Sequence, residues 1–279
     1  MKLAIIGCGY VGSAVSRLWQ EAGHDVTVTT TTPDKKPELQ AIASKVVVLN
    51  GNDLESLQQA IVDRDVVLLS VGSKRSKQRT PQAYRQTYLA TAQNIVTAIR
   101  ATPSIKQLIY TSSYGIINCQ SGDIIDETVT VNPKDEFGEI LHQTEQVLLS
   151  IPQTELRSCV LRLSGIYGPG RELIKIFRRV AGTTRPGTGK EYTNWVHIED
   201  IARAIDFARV KQLQGIYHLN SDGFLTIKEF FQRLFEAYNL PPVTWDSSQT
   251  STRAHNMKLS NQKIKDAGFK LAHPQIEFK

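Results

Sequence analysis

The sequence predicts an α/β fold in which a doubly wound parallel sheet carries helices on both faces, followed by a small C-terminal lobe. Short, almost entirely apolar runs rich in β-branched residues alternate with amphipathic stretches from the first residue onward. Apolar runs of this kind are typical of strands covered on both faces, and the alternation produces right-handed βαβ units. The 279 residues are 41% hydrophobic, which is enough for a sizeable buried core.

Seven segments have the strand pattern and seven have the helix pattern. The predicted strands are residues 3–6, 26–29, 45–49, 66–71, 107–111, 159–163 and 216–219. The predicted helices are residues 11–22, 54–61, 81–100, 137–149, 198–210, 226–238 and 261–267. The regularity falls off after about residue 165, where Gly-Pro turns begin. We therefore expect a main domain over residues 1–165, while residues 166–279 complete the sheet and form a small substrate-binding lobe beside the strand ends.

Composition excludes several function classes. The net charge is +6, but the densest basic cluster, residues 74–79, is too short for a nucleic-acid-binding stripe. The three cysteines have no paired spacing, which argues against disulfides and a zinc site and favours a reducing cytoplasm. No apolar run is long enough to predict a membrane span. A small molecule is the partner that we expect, with no nucleic acid, no membrane and no metal.

A glycine turn links the first predicted strand to the first predicted helix. It reads Gly7-Cys8-Gly9-Tyr10-Val11-Gly12. Gly7 permits a tight turn, Gly9 lets a pyrophosphate approach the backbone, and Gly12 lets the helix pack close to the strand. The free N–H groups at the helix start then face the phosphates. This context predicts a Rossmann-like dinucleotide site, and the helix start is expected to lower the pKa of the Cys8 thiol.

The end of the second strand favours NADP(H) over NAD(H). An NAD site usually carries an acidic residue there to hold the ribose 2′-hydroxyl, whereas this chain has a run of threonines, and Asp34 comes too late. Thr30, Thr31 and Lys35 could hold a 2′-phosphate instead. The alternative is that the threonines are ordinary strand and turn residues. Ser70, Val71, Gly72 and Ser112, at later strand ends, complete the expected cofactor site.

Three further segments identify a family. Residues 108–115 place hydroxyls at a strand end, residues 161–171 run from a strand into a Gly-Pro loop, and residues 194–200 lead into a helix. In combination they resemble the short-chain dehydrogenase/reductase superfamily, on its extended or atypical branch of NAD-dependent epimerase/dehydratase-like proteins. The resemblance runs through most of the chain. It implies a monomer or a homodimer, since relatives dimerise through helices that correspond to residues 81–100 and 137–149.

The resemblance also implies a catalytic serine and a Tyr-x-x-x-Lys pair. The serine corresponds to Ser113. The pair is missing, because Phe137 stands at the tyrosine position and Leu141 at the lysine position. Neither side chain can exchange a proton. Tyr88 corresponds to the family's active-site asparagine.

The remaining site residues have two interpretations each. Ser112 and Ser113 either bind a ligand or cap the strand end. Tyr114 is expected to bind substrate, and Tyr114, Tyr84 and Tyr88 either supply a substitute phenol or pack in the core. His197 and Arg171 are expected to bind substrate, or else to serve as a structural hydrogen-bond partner and a surface ion pair.

Two functions are therefore consistent with the sequence. The first is an NADP(H)-dependent oxidoreductase or epimerase-type enzyme for a small polar metabolite or nucleotide sugar. The second is a cofactor-binding protein without turnover, acting as a redox sensor or an assembly factor.

Overall fold

The computed structural model describes residues 1–72, 80–152 and 154–279. The basic cluster at residues 74–79 therefore lies outside the described residues. The strands in the described part are β1 Lys2–Ile6, β2 Asp25–Thr30, β3 Lys45–Val48, β4 Val66–Leu69, β5 Gln107–Ser113, β6 Ile124–Ile125, β7 Arg157–Leu163, β8 Gly165–Tyr167, β9 Thr184–Pro186, β10 Tyr192–Thr193, β11 Trp195–His197, β12 Gly215–Leu219, β13 Leu225–Thr226, β14 Thr244–Asp246 and β15 Lys258–Leu259. The α-helices are α1 Tyr10–Glu21, α2 Lys36–Gln40, α3 Leu54–Ile61, α4 Pro81–Arg85, α5 Thr91–Arg100, α6 Glu136–Leu149, α7 Leu173–Phe177, α8 Ile198–Val210, α9 Ile227–Ala237 and α10 Gln262–Asp266. Within the described part of the chain, no helix is both long enough and apolar enough to cross a membrane.

A mostly parallel sheet of seven strands confirms the predicted fold class. Its strand order is β12-β7-β5-β4-β1-β2-β3. Strand β1 pairs in parallel with both β2 and β4, so the chain reverses its winding direction beside β1. All seven predicted strands belong to this sheet, and their ends differ by only one or two residues from the prediction. Ligands of open α/β sheets bind at the carboxyl edge beside such a reversal.

The predicted helix over residues 81–100 is interrupted. A π-helical turn, Gln86–Ala90, separates α4 from α5. The hydroxyl of Thr87 donates to the carbonyl oxygen of Ala83 at 2.9 Å. The hydroxyl of Thr91 donates to the carbonyl oxygen of Gln86 at 3.5 Å. Hydroxyls that bond back to the preceding turn compete with the regular helical ladder. One extra residue in a turn leaves the apolar spacing almost unchanged, so the sequence pattern does not reveal it.

The chain divides into two compact units, each built from three pieces. Unit 1 comprises Met1–Ile116, Pro133–Arg162 and Ala202–Tyr217. Its core is aliphatic, and Trp19 of α1 is completely buried while its indole N–H donates to Asp206 Oδ1 at 2.9 Å. The division predicted at residue 165 stays a prediction.

Unit 2 comprises Ile117–Asn132, Leu163–Ile201 and His218–Lys279. Its core mixes aliphatic and aromatic side chains. Phe230 is completely buried, stacks on Trp195 with ring centroids 5.4 Å apart, and meets Phe177 edge to face at 5.5 Å. Helix α9 supplies half of the buried residues of this core and begins at a capping box formed by Thr226 and Glu229.

Candidate functional site

The glycine turn is held against the neighbouring strands β4 and β2. Gly7 has a φ of +92°, and a Cβ there would lie 2.8 Å from both Ser70 O and Val71 Cα. Its N–H donates to Thr29 Oγ1 at 2.9 Å. A side chain at Gly7 would meet backbone atoms, which cannot move away cheaply, so this position requires glycine. Sequence reasoning did not single out Thr29, which anchors the turn.

The other two glycines have opposite surroundings. A Cβ on Gly12 would lie 2.7 Å from Gly7 O, so α1 packs directly on the turn. A Cβ on Gly9 would meet no atom within 4 Å in the part of the chain that the structure describes. Gly9 is also the N-cap residue of α1 and provides no side-chain cap to the first N–H groups of the helix. An uncapped helix start, begun by Tyr10 and Val11, together with open space at Gly9, fits the pyrophosphate of a dinucleotide.

Cys8 is buried inside this turn. Its Sγ lies 3.6 Å from Ser13 Oγ, and its N–H donates to Thr29 O at 2.8 Å. Burial raises the pKa of the Cys8 thiol, although the contact with Ser13 and the charges of Lys35 and Arg17 lower it in part. The expectation that the helix start lowers this pKa is therefore wrong, because desolvation of the thiolate outweighs the favourable charges.

The threonine run leaves β2 beside the turn. Thr30 is nearly buried, and its Oγ1 accepts the N–H of Thr32 at 3.2 Å. Thr31 is exposed, and the chain then forms a 3₁₀ turn, Pro33–Lys35, which ends at an exposed Lys35. Strand β2 therefore ends in hydroxyls, and the turn that follows it presents the carboxylate of Asp34 beside the ammonium group of Lys35.

Hydroxyls also line the adjacent strand ends. Ser70 follows β4, its N–H donates to Ile6 O at 2.8 Å, and its Oγ accepts the hydroxyl of Thr111 at 3.1 Å. Ser112 is buried, and Ser113 Oγ accepts the N–H of Gly115 at 3.1 Å. Because β1, β4 and β5 are neighbours in a parallel sheet, these strand ends share one edge with the glycine turn.

Two more predicted residues adjoin this edge. Gly72 directly follows Val71, and a Cβ on it would meet no atom of the described residues within 4 Å. Tyr114 follows β5 and begins a 3₁₀ turn, Tyr114–Ile116. The structure thus brings the predicted cofactor residues of unit 1 to one edge of the sheet, with Tyr114 at the end of the next strand.

Helix α6 presents no titratable group at the two positions of the missing pair. Phe137 is half-buried and meets Tyr84 edge to face, with ring centroids 5.2 Å apart. Tyr84 in turn contacts Tyr88 at 4.3 Å. Leu141 is buried. These two positions are therefore aromatic and aliphatic where the resemblance implies an acid and a cation, although Glu136 and Glu139 lie in the same first turn of α6.

A buried ion pair joins the second half of α6 to β7. Arg162 Nη2 lies 2.8 Å from Glu145 Oε2, and both side chains are at most 1% exposed. Arg162 Nε donates to the same carboxylate at 3.1 and 3.2 Å. Sequence reasoning placed both residues in motifs but did not pair them, because nothing in their spacing shows that they meet.

His197 lies in unit 2 and is engaged by its own surroundings. Its Nδ1 accepts the N–H of Glu199 at 3.3 Å, and its ring stacks on His273 with centroids 3.7 Å apart. Burial is the main cause that lowers the pKa of His197, and the charge of His273 lowers this pKa further. Both nitrogens of His273 contact carboxylates, Glu199 at 2.9 Å and Glu277 at 2.6 Å. These contacts match the structural interpretation of His197.

The same cluster is the set of described residues that could hold a metal ion. One ligand atom each from His197, Glu199 and His273 lie within 4.8 Å of one another. Arg171 follows the adjacent Gly-Pro loop and donates its N–H to Gly168 O at 2.8 Å. A Cβ on Gly168 would lie 2.9 Å from His197 Nε2, so this loop lies directly against the histidine.

A separate cavity of about 110 Å³ lies within unit 2. Aromatic side chains, among them Phe177, Phe231 and Trp245, form its apolar wall, and Arg185 and Arg253 carry its positive charge. Neither Arg171 nor His197 lines it. Sequence reasoning missed this cavity because its residues come from distant segments without a local motif.

Comparison with known proteins agrees with this architecture. The chain is 27% identical to protein YeeZ of Escherichia coli strain K12, covering 98% of this chain and 96% of YeeZ. It superposes on the human epimerase family protein SDR39U1 with NADPH at a TM-score of 0.80 and 17% identity, covering 99% and 96% of the two chains. It superposes on MoeE5 in complex with UDP-glucuronic acid and NAD at a TM-score of 0.77 and 17% identity, covering 95% and 92%.

The family comparison is more specific than these structural likenesses. The model of the NAD dependent epimerase/dehydratase family matches residues 4–219, from β1 to the end of β12. This match includes the glycine turn, Ser113, helix α6 and the segment around His197. The chain therefore belongs to the NAD dependent epimerase/dehydratase family of short-chain dehydrogenase/reductase proteins.

Proposed function

We propose that this protein binds NADP(H) and acts as an oxidoreductase or epimerase/dehydratase on a polar metabolite, with nucleotide sugars as the preferred class. The observation that carries the proposal is the glycine turn. Gly7 and Gly12 leave no room for side chains, whereas Gly9 opens onto empty space at the uncapped start of α1. Such a turn is suited to an anion of the size of a pyrophosphate.

The preference for NADP(H) is supported by the end of β2. The strand itself ends in threonines rather than in an acidic residue, and Thr30, Thr31 and Lys35 offer donors for a phosphate, with Asp34 as the one acidic group in the turn of Lys35. Structural neighbours include one protein with NADPH and one with NAD, so they do not decide between the two cofactors.

The substrate class is supported by structural likeness rather than by the cavity in unit 2. At about 110 Å³ this cavity is smaller than ordinary ligand pockets of roughly 300–1,000 Å³, so it has room for only a part of a nucleotide sugar. MoeE5, which superposes over 95% of this chain, binds UDP-glucuronic acid. The three cysteines form no disulfide, which fits a reducing cytoplasm. The protein would act there as a monomer or a homodimer.

The chain's own residues can orient a substrate better than they can protonate it. The bound nicotinamide would supply or accept the hydride. Ser113, at the end of β5, would orient the substrate oxygen through its hydroxyl. Phe137 and Leu141 cannot transfer a proton, so that step requires water or another group, and general acid–base help is typically worth about 10²–10⁴-fold in rate.

A second function is favoured by the lack of a proton-transferring group at Phe137 and Leu141. A protein that keeps the cofactor turn but carries no such group there could bind NADP(H) without turnover, as a sensor or assembly factor. Residues Phe137 and Leu141 are the specific observation in its favour.

Turnover separates the two functions. Purified protein is incubated with NADPH and a panel of carbonyl compounds, and separately with NADP⁺ and UDP-sugars, while absorbance at the nicotinamide band and products are followed. An enzyme should lose about tenfold or more of its activity in Ser113→Ala and keep it in Phe137→Ala, with equal NADPH affinity in both variants. Tight NADPH binding without turnover on any substrate would contradict the enzyme and support the sensor.

A further inference from the structure

A cluster of two histidines and two glutamates lies in unit 2. His197 ends β11 and Glu199 lies in the first turn of α8, whereas His273 and Glu277 belong to the C-terminal segment, residues 272–277. The imidazole rings of His197 and His273 have their centroids 3.7 Å apart. Glu199 and His273 are 74 residues apart in the chain, so the cysteine spacing that argues against a zinc site says nothing about this cluster.

The backbone of the C-terminal segment is fixed at His273. Asp200, which is completely buried, accepts the N–H of Ala272 at 2.6 Å through Oδ1 and the N–H of His273 at 2.9 Å through Oδ2. Further along, the N–H of Glu277 donates to the hydroxyl of Tyr167 at 3.1 Å. A side chain on a backbone that is already held in place loses little conformational freedom when it binds an ion.

Each ring nitrogen of His273 faces a carboxylate. Its Nδ1 lies 2.6 Å from Glu277 Oε1, and its Nε2 lies 2.9 Å from Glu199 Oε2. A metal-binding histidine typically donates its other ring N–H to a carboxylate, which fixes the tautomer and leaves the second nitrogen for the ion. Glu277 matches this orienting carboxylate. Nε2 of His273 and the carboxylate of Glu199 are then two ligands for one ion.

His197 supplies the third ligand. One ligand atom each from His197, Glu199 and His273 lie within 4.8 Å of one another. The N–H of Glu199 donates to Nδ1 of His197 at 3.3 Å, which is longer than usual, so this contact does not commit the ring to one tautomer. Ligand atoms about 2.0–2.1 Å from a tetrahedral ion lie about 3.4 Å apart, so Glu199 and His273 have to separate by about half an ångström. The side chain of Glu199 is 56% exposed and can make that adjustment.

We propose that His197, Glu199 and His273 bind one Zn²⁺ ion, with Glu277 orienting His273 and with water at the fourth position. Two imidazole nitrogens and one carboxylate oxygen are a ligand set that Zn²⁺ accepts, and three protein ligands leave one position open. Mg²⁺ and Ca²⁺ prefer oxygen ligands and do not suit this site. The ion would join the C-terminal segment to the start of α8. The proposal does not depend on dinucleotide binding, because all four residues belong to unit 2.

Metal titration of the untagged full chain tests the assignment. Protein dialysed against a chelator is titrated with Zn²⁺ in competition with a chromophoric indicator, and separately with Co²⁺ as a spectroscopic substitute. Wild type should bind one Zn²⁺ per chain, and a large excess of Mg²⁺ or Ca²⁺ should not displace it. The Co²⁺ complex should show the intense visible absorption of four-coordinate Co²⁺.

Four variants locate the ion. Glu199→Gln and His273→Gln each remove a ligand and should weaken Zn²⁺ binding by more than about 100-fold, whereas Glu277→Gln removes only the orienting carboxylate and should weaken it about 10–100-fold. The control His142→Gln changes a histidine of α6 in unit 1 and should match wild type. Because Glu199 is exposed, Glu199→Gln should keep the melting temperature of metal-free wild type. Excess Zn²⁺ should raise the melting temperature of wild type and not that of Glu199→Gln.

Three results would overturn the assignment. No binding of Zn²⁺ by wild type would leave His273 as an ion-pair partner of the two glutamates. Equal affinity for Zn²⁺ in wild type, Glu199→Gln and His273→Gln would place the ion elsewhere on the chain. The weak absorption of octahedral Co²⁺ in wild type would contradict a site with three protein ligands and one water.

Discussion

The glycine turn and helix α6 belong to the same compact unit. The turn has the features that a dinucleotide site needs, whereas α6 lacks a proton-transferring group at Phe137 and Leu141. The turn combines a backbone that excludes side chains at Gly7 with open space at Gly9 and an uncapped helix start. Helix α6 has a buried anchor, the ion pair of Glu145 with Arg162, but carries Phe137 and Leu141 at the two positions where the family resemblance implies a proton-transferring pair. Cofactor binding and proton transfer are therefore separable properties of this fold.

The difference has a physical basis. Dinucleotide binding depends on backbone N–H groups and on the absence of Cβ atoms, so many side chains around the turn can vary without destroying it. Proton transfer depends on one titratable group at one place. A single replacement such as phenylalanine for tyrosine removes that ability and leaves the packing of Phe137 on Tyr84 intact.

The largest predicted effect concerns the anchor of α6. Arg162→Met leaves the carboxylate of Glu145 buried without its partner, which should cost about 3–5 kcal/mol in the free energy of unfolding. Urea denaturation measures this loss. The double variant Glu145→Leu with Arg162→Met should recover most of it, because an apolar pair of similar volume replaces the ions. A loss below about 1 kcal/mol in the single variant would mean that the pair does not anchor α6.

The smallest predicted effect concerns the thiol inside the turn. Burial raises the pKa of Cys8, so its thiolate fraction is small at neutral pH and increases as the pH rises above 9. Iodoacetamide at pH 7.5 should therefore alkylate half-exposed Cys119 at least about tenfold faster than Cys8. Mass spectrometry of peptides measures both rates. Equal rates would show that Cys8 is activated and that the glycine turn is more accessible than described.

The sequence was sufficient to predict the sheet and the turn. The strands β1 to β5 are signalled by apolar, β-branched runs, and the glycine spacing is read directly from Gly7 to Gly12. The missing pair at Phe137 and Leu141 follows from alignment with a family motif. In these cases the relevant information is local in the chain.

Other features depend on contacts between distant residues. The pairing of Glu145 with Arg162 and the cavity with Trp245 bring together residues that no local spacing connects. The direction of the Cys8 pKa shift was predicted wrongly for the same reason, because burial is a property of the tertiary structure.

Titration of NADPH into wild type and Gly9→Ala tests the central claim most directly. A methyl group at Gly9 would meet none of the described atoms within 4 Å, and the φ of Gly9 is −94°, so the free energy of unfolding of the variant should lie within about 1 kcal/mol of wild type. The same methyl group would occupy the space of the pyrophosphate and should weaken NADPH at least about tenfold. Wild-type affinity for NADPH in a folded Gly9→Ala protein would contradict the assignment of this turn as the dinucleotide site.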